Sequence, residues 1–348
     1  MKITYKDILK LAVSIGITVW VIKVLSKDID LENLWVQLSN VKYGWVILSI
    51  LISILSHVLR AYRWTLLLNT RGYNPSVLTT YLAVMTGYLA NMVIPRMGEV
   101  VRCSVLHEEE KIPVSFSLGT VITDRLLDLL MLGLLTLFLL LMQFGLLEGF
   151  FIEFIESKAP RLLELGPYII IGGVLGLLLL IYLIRKARKE ENEDALLYKI
   201  ADFIKQMISG AGAISKVKSP ALFWLSTLGI WLAYFLMLYV ISFSFEPTDD
   251  LSLMAGVAVL VMGSLGMATP TNNGIGAYQY LVAKILVVYG ILYDDGLVFA
   301  IISHGSQLVS VAFIGLLGLL MLNFRKRKKN RATEQSENSK PAGAQSPH

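Results

Sequence analysis

The sequence predicts an all-α fold: a polytopic transmembrane helical bundle of six full spans plus two re-entrant broken hairpins, arranged as an inverted repeat. Three observations predict it. Of 348 residues, 55% are hydrophobic and 16% charged, whereas a soluble domain carries about 25% charge. Several apolar runs reach the roughly 20 residues that cross a bilayer. Two further apolar regions are each interrupted by a polar break containing proline and glycine. An ordinary soluble enzyme, a disordered chain and a disulfide-knit domain are thereby excluded. A transmembrane barrel needs alternating segments of about 10 residues, which are absent, and the single cysteine, Cys103, leaves no internal disulfide.

The elements follow in order. Span 7–25 comes after Lys2, Lys6 and Lys10, and no small-residue cleavage site precedes Lys27, so it reads as a retained helix. Span 43–66 is next. Region 76–107 starts apolar and breaks at 91–99, where Pro95 and Gly98 stand. Spans 114–144, 166–184 and 221–243 are uninterrupted. Region 252–290 starts apolar and breaks at 269–276, with Pro270, Gly274 and Gly276. Proline removes a backbone donor and glycine loosens the helix. Broken backbone at membrane depth survives only where protein or a wet cavity covers it. Span 297–322 closes the membrane domain, 1–324, whose halves are about 1–145 and 166–324. The tail, 325–348, opens with six basic residues between Arg325 and Arg331 and is expected to be disordered from 332 on. The net charge of +5 is thus a cytoplasmic stop signal and does not point to nucleic acid.

Loop charge decides which regions cross. Loop 185–218 is rich in Lys and Arg and reads as cytoplasmic. Loop 244–251 has none, but has Glu246, Asp249 and Asp250, and reads as external. With the basic tail inside, region 252–290 must enter and leave on the external side. The same bookkeeping from a cytoplasmic N-terminus makes region 76–107 a hairpin entering from the cytoplasm. Each half then reads span, span, hairpin, span, with opposite orientation, as in transporters whose broken helices meet near the midplane. Eight ordinary spans is the competing reading.

An ionisable group inside a membrane costs several kcal/mol unless it finds a partner or water. Here such groups cluster. Arg96, Glu99 and Arg102 step by three along one helix face, and Asp124, Arg125 and Asp128 share the next span. One reading is that they pair with one another and hold the helices together. The other is a polar cavity for a charged head group, with Arg96, Arg102 and Arg125 gripping a phosphate. Glu99, Asp124 and Asp128 would hold the arginines in place or carry a coupling proton. Arg60 and Arg63 read first as topology markers that snorkel to the interface, and second as ligands. Near the two breaks, Asn91, Asn273, Gly274 and Gly276 are head-group candidates, with Pro270, Tyr278, Gln279 and His304 in secondary positions. Helices starting after Pro95 and after Gly274 would aim free backbone N–H groups inward, which suits an anion. His304 and Gln307 lie one turn apart in the last span. Trp35, Trp45, Trp64 and Trp224 read as interfacial anchors. The GxxxG spacing of Gly172 and Gly176 reads as helix packing.

No metal-binding spacing, P-loop or dinucleotide fingerprint is present. No metal, cofactor or covalent chemistry is therefore expected. Asp124 and Asp128 alone make a weak case for an intramembrane acid/base pair.

The segments 60–64, 91–102, 124–128 and 270–276, in that order and spacing, resemble the lysylphosphatidylglycerol synthase transmembrane region, the flippase-like UPF0104 family. The resemblance covers nearly the whole chain before the tail. It implies a polytopic protein, and the family's best-understood members carry a domain that flips aminoacylated phosphatidylglycerol across the membrane; the expected location is the cell inner membrane. The large soluble aminoacyl-transferase domain of the fused synthases has no counterpart here, so lysyl transfer is not implied. The family commonly has Glu where Asp124 stands, a Pro-Gly-Gly run where 270–274 stands, and an acidic residue where Gln279 stands. The expectation is a lipid transporter or flippase-like protein, its ligand a phospholipid or polyprenyl-lipid with an anionic or phosphate-bearing head group. The alternative is a non-catalytic subunit presenting lipid to a glycosyl- or aminoacyl-transferase partner.

Overall fold

The computed structural model describes the backbone of residues 36–94, 96–187, 196–269 and 271–338, and the side chains of 36–94, 96–150, 152, 202–269, 271, 273–328 and 331. Among the described residues the fold is helical with no strand. The helices are α1 (Tyr43–Leu68), α2 (Val77–Val93), α3 (Gly98–Glu110), α4 (Val114–Ala187), α5 (Leu196–Ala211), α6 (Pro220–Ser242), α7 (Leu253–Ala268), α8 (Ala277–Val288) and α9 (Tyr293–Asn338). The expected span 7–25 and Trp35 lie outside the described residues, as does the end of the tail.

Four stretches among the described residues are long and apolar enough to cross a membrane: Tyr43–Arg71, Val114–Phe150, Pro220–Ser242 and Tyr293–Lys328. They match four of the expected spans. Span 166–184 and the GxxxG spacing fall within α4, whose 74 residues include non-helical backbone at Gln143 (φ −130°, ψ 26°). Straight, α4 would measure about 111 Å. It bends instead. Ser115 Oγ donates to Gln206 Oε1 (2.7 Å) and Thr123 Oγ1 to the Ala211 carbonyl (2.7 Å), so α5 lies beside the first turns of α4. The chain from 187 to 206 reaches at most about 65 Å even if extended, too little to close that gap along a straight rod. Helix α9 continues to Asn338, past the point where the tail was expected to lose structure. Ala332, Glu334, Gln335 and Glu337 of that extension favour helix.

α1 buries a polar stripe. Ser49, Ser53, Ser56, Arg60 and Arg63 recur every three or four residues and are all buried. The small serines let α6 approach, and Ser49 Oγ donates to the Met237 carbonyl of α6 (2.8 Å). Much of the exposed surface of α4 is apolar. Leu130, Leu134, Leu137 and Leu141 are exposed, as befits side chains facing lipid tails.

The two broken regions form antiparallel pairs, α2 with α3 and α7 with α8. With 17, 13, 16 and 12 residues, none reaches the roughly 20 needed to span. Serine starts the first leg of each: Ser76 Oγ accepts from the Thr79 N–H and Ser252 Oγ from the Ala255 N–H. Each pair is drawn tight by glycine. A Cβ at Gly98 would collide with the Gly87 carbonyl, and one at Gly266 would lie 2.6 Å from the Tyr278 Cα. Across the molecule, α1 packs on α6, α2 on α9 and α7 on α4.

Candidate functional site

A cavity of about 640 Å³ lies between the two pairs, within the range of ligand-holding clefts, roughly 300–1,000 Å³. Both breaks reach it: Asn91 and Arg96 from the first, Thr269, Thr271 and Asn273 from the second. Further polar residues on its lining are Arg60, Glu99, Arg125, Asp128, His304 and Gln307. The apolar remainder includes Leu129, Leu132, Leu260 and Leu308.

The charged part is built by two helical repeats facing each other. Arg60 and Arg63 are one turn apart on α1, and Asp124 and Asp128 one turn apart on α4. Arg60 Nη1 donates to Asp124 Oδ2 (2.8 Å) and its Nη2 to Asp128 Oδ2 (2.8 Å). Arg63 Nε donates to Asp124 Oδ1 (3.0 Å) and its Nη2 to Asp128 Oδ1 (2.8 Å). Tyr234 of α6 accepts from Arg60 Nη2 at 2.9 Å. Arg60 and Arg63 are only 3% and 0% exposed. They therefore do not snorkel: two carboxylates from α4 hold them inside.

Arg102 of α3 joins this group without hydrogen bonds. Its side chain is 3% exposed and 3.9 Å from Asp124 Oδ2, and its guanidinium lies 4.8 Å from the centre of the Trp64 ring. None of its three guanidinium nitrogens has a hydrogen-bond partner among the described residues. Trp64 is fully buried and donates to Thr120 Oγ1 (2.9 Å). It is a packing residue and not the interfacial anchor expected, because the arginine and the threonine hold it inside. Trp45 and Trp224 are 40% and 44% exposed.

The remaining charges sit at the cavity surface. Arg125 Nη2 donates to Glu99 Oε1 (2.8 Å), with 45% and 28% side-chain exposure. Arg96 is exposed, with a left-handed backbone (φ 63°), and makes no ion pair with a described residue. Five guanidiniums (Arg60, Arg63, Arg96, Arg102, Arg125) thus meet three carboxylates (Glu99, Asp124, Asp128), an excess of two positive charges. Of the sequence candidates, Arg96, Arg125, Glu99, Asp128, Asn91, Asn273, Arg60, Tyr278 and His304 line the cavity. Arg63, Arg102 and Asp124 stand behind that lining. Pro270 is not among the described residues.

At each helix start one N–H already has a partner within its own hairpin. Asn91 Oδ1 accepts from the Gly98 N–H (2.6 Å), and Gln279 Oε1 from the Gly276 N–H (2.7 Å). Side chains of the hairpins themselves thus take an N–H group at each start, so these groups are not free for an anion. Asn273, Gly274 and Gly276 adopt positive φ and turn the second break. Around it runs an uncharged network. Tyr278 OH meets Ser303 Oγ (3.2 Å), Gln279 Nε2 meets His304 Nδ1 (3.1 Å), and the Tyr278 and His304 rings are 4.6 Å apart. No group of three or more His, Cys, Asp or Glu suited to a metal ion occurs among the described residues.

Of the ring-bearing residues on the lining, four were not singled out from sequence: His57, Tyr88, Trp231 and Tyr234. The signal for His57 was present, since it precedes Arg60 by three residues on the same helix face.

The family model described as the lysylphosphatidylglycerol synthase transmembrane region matches residues 8–315. The chain belongs to that family. It is accordingly a multi-pass membrane protein, and the family is named for a transmembrane region and not for a catalytic domain. Over 115 residues the chain is 30% identical to the UPF0104 membrane protein MJ1595 of Methanocaldococcus jannaschii. That match covers 32% of this chain and 34% of the relative, so the chain spans about a third of the curated relative it matches. No solved structure matches. Each of the segments 60–64, 91–102, 124–128 and 270–276 sends residues to the cavity lining, among them Arg60, Arg96, Asp128 and Asn273.

Proposed function

We propose that the protein is a flippase-like lipid transporter, which takes a phosphate-bearing head group into the cavity while the acyl or prenyl tails stay in the bilayer. The observation that carries this is the two-charge excess of guanidinium around a cavity that both breaks reach. A phosphate satisfies that excess through charge-assisted hydrogen bonds. Arg96 and Arg125, on the lining, make first contact. Arg60 follows with Asp128, and Arg63, Arg102 and Asp124 set the field behind them. No bond is made or broken; movement is by alternating access.

The inverted repeat belongs to this reading. Each half has a long helix, α1 or α6, then a serine-started short pair, then a long helix, α4 or α9. The packing of α2 on α9 and of α7 on α4 exchanges partners as a two-fold relation requires, with α1 against α6 near the axis. Basic loops and tail favour cytoplasmic termini and an inner-membrane location. A second reading, a subunit that presents lipid to a separate transferase, draws on the family's name, which ties such a region to a synthase.

Reconstitution in vesicles with acyl-labelled phospholipids tests the proposal. Faster transbilayer exchange than in empty vesicles supports it. Exchange equal to empty vesicles across anionic and zwitterionic lipids overturns it, and lipid retention without exchange favours the presenting subunit.

A further inference from the structure

Among the described residues, the charges on the cavity lining all come from one half of the chain. Arg60, Arg96, Glu99, Arg125 and Asp128 belong to α1, α3, α4 and the first break. Among the described residues, the polar groups that α7, α8, α9 and the second break contribute carry no carboxylate or ammonium: Ser264, Thr269, Thr271, Asn273, His304 and Gln307, with Tyr278. The two lining carboxylates are matched. Asp128 takes Arg60 and Arg63 at 2.8 Å each, and Glu99 takes Arg125 at 2.8 Å. Glu99 Oε2 has no hydrogen-bond partner among the described residues, but the charge of its carboxylate is balanced by Arg125.

Cations bind over open ring faces, and a guanidinium already lies over one ring of the lining. Arg60 sits 5.9 Å from the Tyr234 ring centre, His57 5.2 Å from Tyr88 and His304 4.6 Å from Tyr278. Trp231 meets Tyr234 edge-on at 5.9 Å. Hydroxyl, amide and imidazole groups are both donors and acceptors, which is what a hydroxyl-bearing ligand needs.

We propose, building on the transport reading above, that the head group is a phosphate joined to an uncharged, hydroxyl-bearing group such as glycerol or a cyclic polyol. The phosphate faces the guanidiniums of the first half, and the hydroxyls meet the neutral polar groups of the second. Zwitterionic and cationic head groups are disfavoured, because their ammonium meets excess positive charge and no unmatched carboxylate.

The test measures transbilayer exchange of acyl-labelled phosphatidylglycerol, phosphatidylinositol, phosphatidylethanolamine and lysylphosphatidylglycerol by the full-length protein in vesicles. The glycerol or the inositol lipid should exchange about tenfold faster than either amine-bearing lipid, the effect of roughly 1.4 kcal/mol in recognition. Which of the two is faster separates a glycerol from a ring polyol. Gln307→Glu, near-isosteric and on the lining, should narrow that preference by adding a carboxylate to the neutral half. Amine-bearing lipids moving as fast as phosphatidylglycerol in the wild type overturn the head-group inference and leave transport standing. No exchange of any of the four overturns transport itself. The wild-type comparison decides the matter even if the variant does not fold.

Discussion

Asp124 is the residue on which the charged cluster depends. It is fully buried and accepts hydrogen bonds from both Arg60 and Arg63, with Arg102 at 3.9 Å. Breaking a buried pair from one side leaves an uncompensated charge and costs about 3–5 kcal/mol. Asp124→Asn keeps the volume and removes the charge, so it should destabilise by about that much, read as a lower unfolding midpoint in detergent. An unchanged midpoint would show that the guanidiniums are balanced elsewhere. Arg96→Ala should leave the midpoint unchanged, because Arg96 is exposed and makes no ion pair with a described residue. The cluster was legible in the sequence because charges stand out within apolar runs. Its pairing was not. Arg60 and Arg63 look like interface markers until α4 is known to approach α1, and one-dimensional spacing carries no such information. Tyr234 and Trp231 were invisible for a different reason: an aromatic residue in an apolar helix has the same local pattern whether it packs in a core or lines a cavity.

At the scale of elements, the hairpins rest on close backbone approach. A side chain at Gly98 has no room, since a Cβ would meet the Gly87 carbonyl and the Asn91 side-chain amide nitrogen (2.6 Å). Gly98→Val should therefore open the α2–α3 pair and lower both the unfolding midpoint and the folded yield. Gly44→Ala, where a Cβ meets nothing within 4 Å, should be tolerated. The breaks themselves were readable from proline and glycine, and the short legs agree with them. What local sequence concealed was the use of Asn91 and Gln279 as caps, because a cap is recognised only once the helix start is located. The re-entrant reading makes a separate prediction. Single cysteines at Asp250 and Leu292, both exposed and flanking the second pair, should label from the external side with a membrane-impermeant maleimide. Cysteines at Asn74 and Lys111 should label only after the membrane is opened. The Cys103→Ser background removes the native thiol. Labelling of Asp250 and Leu292 from opposite sides would replace the hairpin with a crossing.

For the whole molecule, the arrangement couples two things that either half alone lacks. The first half brings guanidinium, the second an uncharged polar surface, and the cavity exists only where both breaks meet. Composition and loop charge made the membrane fold and the two breaks legible. That residues of both breaks line one cavity is visible only once the helices are packed, because sequence spacing carries no such information. The central claim is that the guanidinium excess on the lining holds a lipid phosphate, and Arg96 and Arg125 are the residues through which to test it, since neither is buried in the ion cluster. Native mass spectrometry of detergent-purified wild type and of the Arg96→Ala/Arg125→Ala double variant compares lipid retention directly. The account predicts a phospholipid retained by the wild type and lost from the variant at an unchanged unfolding midpoint; equal retention by both proteins would contradict it.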